Sequence, residues 1–157
     1  MRKEDILTEI LVEQLQSGGI KKLTRAQKQV EFRREVGDSS FRADIFISLQ
    51  KESATAADVR ATNFIAIEVK VKDWMQGLYQ AWKYNAFAER SYLALYKPYA
   101  ANVDVELFRQ YNVGLIIFDE TTIEVRNTPK SNKFHQKTYS SELRTKLRGR
   151  LATVESI

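Results

Sequence analysis

The sequence predicts an α/β fold in which helices flank a central mixed β-sheet. Apolar residues recur at helical spacing near the N-terminus, and runs with the two-residue alternation of strands follow. In the rest of the chain, helix patterns and strand patterns alternate. The resulting order of elements is α-β-β-β-α-β-α-β-β-α. The chain has 157 residues, 43% of them hydrophobic, which is enough for one core and too little for two. We therefore expect a single domain over 1–157, with a core at about 3–125 and a basic C-terminal extension at about 126–157.

The first half of the chain has clear helix and strand signals. An apolar stripe predicts a helix over Lys3 to Gln16, which Ser17-Gly18-Gly19 ends. The runs "VEFRREV" and "FRADIFISL" flank the polar turn Gly37 to Ser40 and predict a β-hairpin. A long polar loop, Gln50 to Thr62, then precedes the strand "NFIAIEVKV".

The second half alternates between the two patterns. Asp73 is the predicted N-cap of a helix that runs to about Arg90. After it we expect a strand at "SYLALY", a helix at Val105 to Tyr111, and strands at "VGLIIF" and "IEVRN". A last amphipathic helix is predicted near Ser141 to Leu151.

Composition excludes several classes of protein. There is no cysteine, so a disulfide framework and thiolate metal sites are excluded. The start, "MRKEDILTEILVEQL", is too charged for a signal peptide, and no apolar run approaches the length that spans a membrane. We therefore expect a soluble, cytoplasmic protein with no membrane partner.

The positive charge is concentrated in the C-terminal extension. Residues 126–150 hold eight Lys and Arg against the single acid Glu142, and the rest of the chain has a small negative balance. Such a segment can attract a polyanion through forces that salt screens, or it can be a solvated basic helix. Charge alone leaves both interpretations open.

Two central strands each combine an aliphatic face with a face that carries charge. Alternate residues of a strand point to opposite sides of the sheet, so each run divides into two sets. In the earlier strand the aliphatic face holds Ala43, Ile45, Ile47 and Leu49, and the other face holds Asp44, Phe46 and Ser48. In the later strand the aliphatic face holds Ile65, Ile67, Val69 and Val71, and the other face holds Phe64, Ala66, Glu68, Lys70 and Lys72.

If these strands pair in antiparallel fashion, Asp44 lies near Glu68 and Lys70. Two carboxylates with water suit Mg²⁺, which prefers hard oxygen ligands. A lysine beside the ion can position the attacking water or neutralise charge that develops on a phosphate. The competing interpretation is structural, since Glu-x-Lys alternation is common on solvent-facing strands, where it forms weak cross-strand pairs.

The helix that follows favours a functional site. Gln76, Gln80 and Tyr84 recur at i, i+4 and i+8 along one face. This stripe lies beside a packed face that we expect to bury three further residues. Those residues are Leu78, Ala81 and Trp82. We interpret the aromatic residues of this region as core or interface side chains rather than base-stacking platforms; they are Trp74, Tyr79, Trp82 and Phe87.

Together these residues resemble the PD-(D/E)XK nuclease superfamily. Its signature is an aspartate on one strand and Glu-x-Lys on the next, here "RADIF" with Asp44 and "IEVKV" with Glu68 and Lys70. The RecB-like and exonuclease branch adds a Gln-x-x-x-Tyr helix, which "QAWKY" matches. Ala43 stands in place of the proline of the motif name and removes no ligand. The resemblance spans roughly Lys3 to Tyr96.

The resemblance implies a fold and a catalytic set. The fold is a restriction-endonuclease-like core, α-β-β-β-α-β, with C-terminal additions. Asp44 and Glu68 would bind Mg²⁺ with help from the Val69 carbonyl, and Mn²⁺ is expected to substitute. Lys70 would assist the water that attacks the phosphodiester.

The resemblance also implies which residues border the site. Gln80 and Tyr84 would hold substrate or a ligand. Arg42 and Lys72 flank the catalytic positions and either contact phosphates or serve only surface solubility.

Many members of the superfamily supply a further acidic metal ligand from the first helix. Glu9 and Glu13 both qualify, one turn apart on the edge of its apolar stripe. For either residue the alternative is an ordinary exposed helix glutamate.

The expected function is that of a Mg²⁺-dependent nuclease acting on DNA in a repair, restriction or mobile-element context. The alternative is a catalytically silent nuclease-fold module that binds nucleic acid or a partner protein, against which the intact Asp44, Glu68 and Lys70 weigh. A third interpretation is an α/β binding domain with no nucleic-acid role, against which the basic extension weighs slightly. Because no separate specificity domain is apparent, a homodimer or a partner subunit fits the sequence. Endonuclease and exonuclease action, and DNA and RNA as substrate, stay open.

Overall fold

Six strands and three α-helices make up the part of the chain that the structure describes. The structure is a computed structural model that describes residues 3–24, 28–37, 42–51 and 62–132. The helices are α1 (Lys3–Gln16), α2 (Trp74–Lys83) and α3 (Val105–Tyr111). The strands are β1 (Lys28–Gly37), β2 (Arg42–Lys51), β3 (Thr62–Lys70), β4 (Arg90–Tyr96), β5 (Gly114–Phe118) and β6 (Ile123–Asn127).

The strands form one mixed sheet in the order of the sequence, β1-β2-β3-β4-β5-β6. Pairing is antiparallel from β1 to β3, parallel from β3 to β5, and antiparallel between β5 and β6. Parallel neighbours need a crossover connection, and α2 and α3 supply the two that are required. The predicted α/β class with a mixed sheet flanked by helices is confirmed.

α1 covers one face of the sheet. Its leucines Leu7, Leu11 and Leu15 are buried, and each fully buried leucine contributes about 1.5–3 kcal/mol. They pack on the aliphatic faces that strand parity predicted for β2 and β3. The strand residues in this cluster are Ile45, Ile47, Leu49, Ile65, Ile67 and Val69.

Ala43 departs from this pattern, because it belongs to the cluster on the opposite side of the sheet. The Tyr84 hydroxyl lies 2.6 Å from the carbonyl oxygen of Arg42. Tyr84 belongs to the same cluster as Ala43, so the start of β2 lies beside the residues that follow α2.

α2 and α3 cover the second face of the sheet. Leu78 and Ala81 of α2 and Phe108 of α3 are buried against the strands. The sheet is therefore the middle of three layers. The strand residues in contact with these helices are Leu93, Leu95, Leu115 and Ile117.

Trp82 lies outside this core, contrary to prediction, with 45% of its side chain exposed. Successive helix residues are rotated by about 100°, and the buried residues of α2 are Gly77, Leu78 and Ala81. Trp82 is turned by roughly 95° from the centre of this face, so it points outward. With Met75 and Tyr79 it lines a groove of about 440 Å³ beside α3.

α2 ends earlier than predicted. The helix was expected to continue to about Arg90, but it ends at Lys83 and a single 3₁₀ turn, Tyr84–Ala86, follows. After this turn, the side chain of Glu89 accepts a hydrogen bond from the backbone N–H of Phe64, at 2.8 Å, and β4 begins at Arg90.

Three predicted segments lie outside the described residues. They are the hairpin turn after Gly37, most of the loop from Gln50 to Thr62, and the helix near Ser141 to Leu151. In the described part of the chain, no helix is both long and apolar enough to cross a membrane.

A close contact between β4 and β5 predicts the effect of a substitution at Gly114. A Cβ on Gly114 would overlap the ring of Tyr92, which is fully buried in the neighbouring strand. We expect Gly114→Ala to lower the free energy of unfolding by about 1–3 kcal/mol, since overpacking forces shifts in the core. Chemical denaturation measures this change. Adding Tyr92→Leu should recover part of the loss, and an unaltered midpoint in Gly114→Ala would contradict the packing described here.

Candidate active site

Asp44 and Glu68 meet where β2 begins and β3 ends. The backbone pairing of these strands stops with Ile45 opposite Ile67, one residue before the two acids. At that point Oδ2 of Asp44 accepts a hydrogen bond from the backbone N–H of Val69, at 2.8 Å. A carboxylate thus takes the place of a backbone partner, and this bond holds the Asp44 side chain against β3.

The two carboxyl groups are half-buried, and they lie close enough for each to shift the pKa of the other. Burial raises the pKa of Glu68 to about 8, and the charge of Asp44 adds to the effect. Burial likewise raises the pKa of Asp44 from its ordinary value. The charge of Lys70 opposes both shifts without cancelling them. The pair therefore retains a proton near neutral pH, as crowded carboxyl groups do in many enzyme sites.

Tyr84 ties α2 to this pair. Its hydroxyl lies 2.5 Å from Oε2 of Glu68 and 2.6 Å from the carbonyl oxygen of Arg42, and its proton can be donated to one acceptor at a time. Burial and the neighbouring charge of Glu68 raise the pKa of Tyr84, so the phenol stays a neutral donor. Tyr84 therefore fixes the orientation of Glu68 from the helix side.

α2 starts beside the site because Asp73 turns the chain sharply after β3. Asp73 has left-handed backbone angles, φ 62° and ψ 59°, and its Oδ1 accepts a hydrogen bond from the N–H of Gln76, at 3.4 Å. The predicted N-cap is confirmed. Gln80 is half-buried one turn before Tyr84, so the two residues lie on the same side of α2.

Arg42 and Lys72 flank the pair along the chain, and both side chains are exposed. Arg42 forms an ion pair with Glu35, at 3.3 Å, which at this exposure adds little to stability. The structure thus brings Asp44, Glu68, Lys70 and Tyr84 together and leaves the two exposed cations at the border.

Glu9 and Glu13 do not join this group. Both are exposed on α1, which packs on the opposite face of the sheet, and Oε1 of Glu9 lies 3.9 Å from the guanidinium of Arg34. Among the described residues, no group of three or more His, Cys, Asp and Glu side chains could hold a metal ion. A cation at the site would therefore depend on Asp44 and Glu68.

Glu35 is a neighbour of the site that the sequence did not reveal. Its charge helps to raise the pKa of Asp44, so it lies close to that carboxyl group. Gly37 pairs with Arg42 and Val36 with Ala43, and counting back one further residue places Glu35 opposite Asp44. The hairpin register was the signal that could have identified it.

The comparisons with known proteins bear on the fold alone. No protein-family model matches the sequence, and no curated protein matches it. A solved structure of a protein of unknown function from Silicibacter pomeroyi is similar, with a TM-score of 0.52 and 17% sequence identity. The match covers 87% of this chain and 83% of that one. This chain is thus similar in its α/β architecture to that protein.

Proposed function

We propose that this protein is a Mg²⁺-dependent nuclease that hydrolyses phosphodiester bonds of DNA. The observation that carries the proposal is the half-buried pair of Asp44 and Glu68, anchored by Val69 and Tyr84, with Lys70 on the same face of β3. The order α1-β1-β2-β3-α2-β4 supports a restriction-endonuclease-like core, and the Tyr84 contact supports similarity to the PD-(D/E)XK nuclease superfamily.

The carboxyl pair fits a divalent cation. Two acids that share a proton because they are buried together would exchange it readily for a cation, whose charge removes their repulsion. Mg²⁺ is usually bound through one or two carboxylates and keeps several waters. Asp44 and Glu68 would hold it, the resemblance adds the Val69 carbonyl, and Mn²⁺ is expected to substitute. Bound there, the ion would supply Lewis-acid activation of the phosphate and lower the pKa of a water.

The protein's own groups have separate roles in this proposal. The N–H of Val69 and the hydroxyl of Tyr84 each occupy one carboxylate oxygen, so both acids keep a fixed orientation. The Lys70 ammonium neutralises charge that develops on the attacked phosphate. Arg42 and Lys72, exposed at the border, contact the flanking phosphates.

A substrate panel tests the proposal directly. Purified protein is incubated with supercoiled, linear, single-stranded and branched DNA, with and without Mg²⁺ or Mn²⁺, and titration calorimetry measures metal binding. We expect metal-dependent cleavage of at least one substrate and a metal site that Asp44→Asn or Glu68→Gln abolishes. If neither appears, the proposal fails, and a catalytically silent module that binds nucleic acid or a partner protein replaces it.

Substitutions of Tyr84 and Gln80 test whether these two side chains contribute to cleavage. Tyr84→Phe keeps the buried ring and removes the bond to Glu68, so we expect a loss of about 1 kcal/mol in stability and of about tenfold or more in kcat. Gln80→Ala should also reduce cleavage more than stability, whereas Gln76→Ala, at an exposed position of the same helix, serves as the control. If these variants have a lower melting temperature but cleave at the wild-type rate, Gln80 and Tyr84 serve packing and not the site.

A further inference from the structure

The backbone of α2 lies directly on the aliphatic stem of Lys70. Gly77 is buried at this contact, and an ideal Cβ placed on it would lie 2.8 Å from Cγ of Lys70 and 2.6 Å from Cδ1 of Leu93. Non-bonded carbon atoms are best separated by about 3.5–4.0 Å. Any side chain at position 77 would therefore displace Lys70, Leu93 or the helix itself.

Backbone conformation does not explain a glycine at this position. Gly77 lies in the interior of α2, and the described glycine with positive φ is Gly18. A glycine inside a helix costs about 1 kcal/mol relative to alanine. The close approach of α2 to β3 and β4 is thus the physical reason for Gly77.

Gly77 approaches Lys70 at Cγ, and the position of Cγ determines where the ammonium group can lie. Cγ is near the root of the side chain, so it can move only by rotation about χ1 or by a shift of the backbone. A free lysine stem has about 2 kcal/mol of rotamer entropy. Held between α2 and the sheet, the stem of Lys70 starts from the same face of β3 as Glu68, and the lysine's charge acts on both carboxyl groups.

We propose that Gly77 is a positioning residue, whose missing side chain lets α2 hold Lys70 in the rotamer that directs its ammonium to the Asp44–Glu68 pair. The catalytic consequence rests on the proposed nuclease function, whereas the placement of Lys70 does not. Gly77 touches neither the acids nor a substrate and acts through Lys70 alone.

A pair of variants separates the two contacts of Gly77. Gly77→Ala creates both overlaps, whereas Gly77→Ala with Leu93→Ala removes the overlap with Leu93 and keeps the one with Lys70. We expect the double variant to fold, to keep KM within about twofold, and to lose about tenfold or more in kcat. Leu93→Ala alone is the control and should retain most of the wild-type kcat. A double variant with the wild-type kcat would overturn the inference.

A second readout needs no nuclease activity. The amine of Lys70 is acylated with an excess of reagent, and mass spectrometry compares its rate with that of exposed Lys72 in the same molecule. We expect the ratio of the two rates to change severalfold in the Gly77→Ala, Leu93→Ala variant and to stay constant in Leu93→Ala. A constant ratio in the double variant would overturn the inference. A changed ratio in a protein that cleaves no DNA would instead uphold the positioning and reject the proposed function.

Discussion

Lys70→Met is expected to lower the rate of DNA cleavage by about 10²–10³-fold, the loss that removal of one transition-state charge contact typically causes. Methionine keeps the apolar stem that packs beneath Gly77 and discards the ammonium. The variant should therefore fold normally. It should also still bind Mg²⁺ and DNA, because Asp44 and Glu68 remain, and the loss should fall on kcat.

Lys72→Met is the matched control for this substitution. Lys72 is two residues further along the chain and exposed, so its removal should change cleavage only slightly and weaken DNA binding through one phosphate contact. Single-turnover cleavage assays with both variants measure the difference. If the two variants lose equal factors in cleavage rate, Lys70 acts only through the general positive charge of the surface and not on the reacting phosphate.

Glu68→Gln is expected to abolish cleavage and, in metal-free protein, to raise stability at pH 8. The pKa of Glu68 is raised from 4.5 to about 8 in the folded protein, chiefly by burial. Between these values the folded state binds a proton that the unfolded state has lost, so the free energy of unfolding falls as pH rises through this window. The slope for one proton is at most about 1.4 kcal/mol per pH unit. The raised pKa of Asp44 acts in the same direction.

Denaturation at several pH values between 5 and 8 tests this prediction. Glutamine keeps the shape and a hydrogen-bonding group but cannot ionise, so the stability of Glu68→Gln should depend less on pH than that of the wild type. Mg²⁺ should raise the melting temperature of the wild type at pH 8 and not that of the variant, because only the wild type keeps both carboxylates. Glu124→Gln, an exposed acid on β6, is the control. Parallel pH profiles for wild type and Glu68→Gln would contradict a shared proton at the pair.

The meeting of Asp44 and Glu68 could be predicted because it depends on short-range rules. Side chains alternate along a strand, and two strands joined as neighbours in an antiparallel sheet bring matching faces together. The same reasoning placed Lys70 beside Glu68 and identified Asp73 as the cap of α2. The start of a helix is set by a local hydrogen bond, which one capping residue makes evident.

The sequence by itself thus determined the α/β class, most element positions and the face on which the two acids and Lys70 lie, since periodicity and capping are properties of neighbouring residues. Only the tertiary structure decided the rest. The raised pKa of Glu68 sums desolvation by groups from several elements, and Glu35 reaches Asp44 through the hairpin register. The contact of Gly77 with Lys70 depends on how closely α2 approaches the sheet. These properties arise from distances between segments far apart in the chain, which no local pattern encodes.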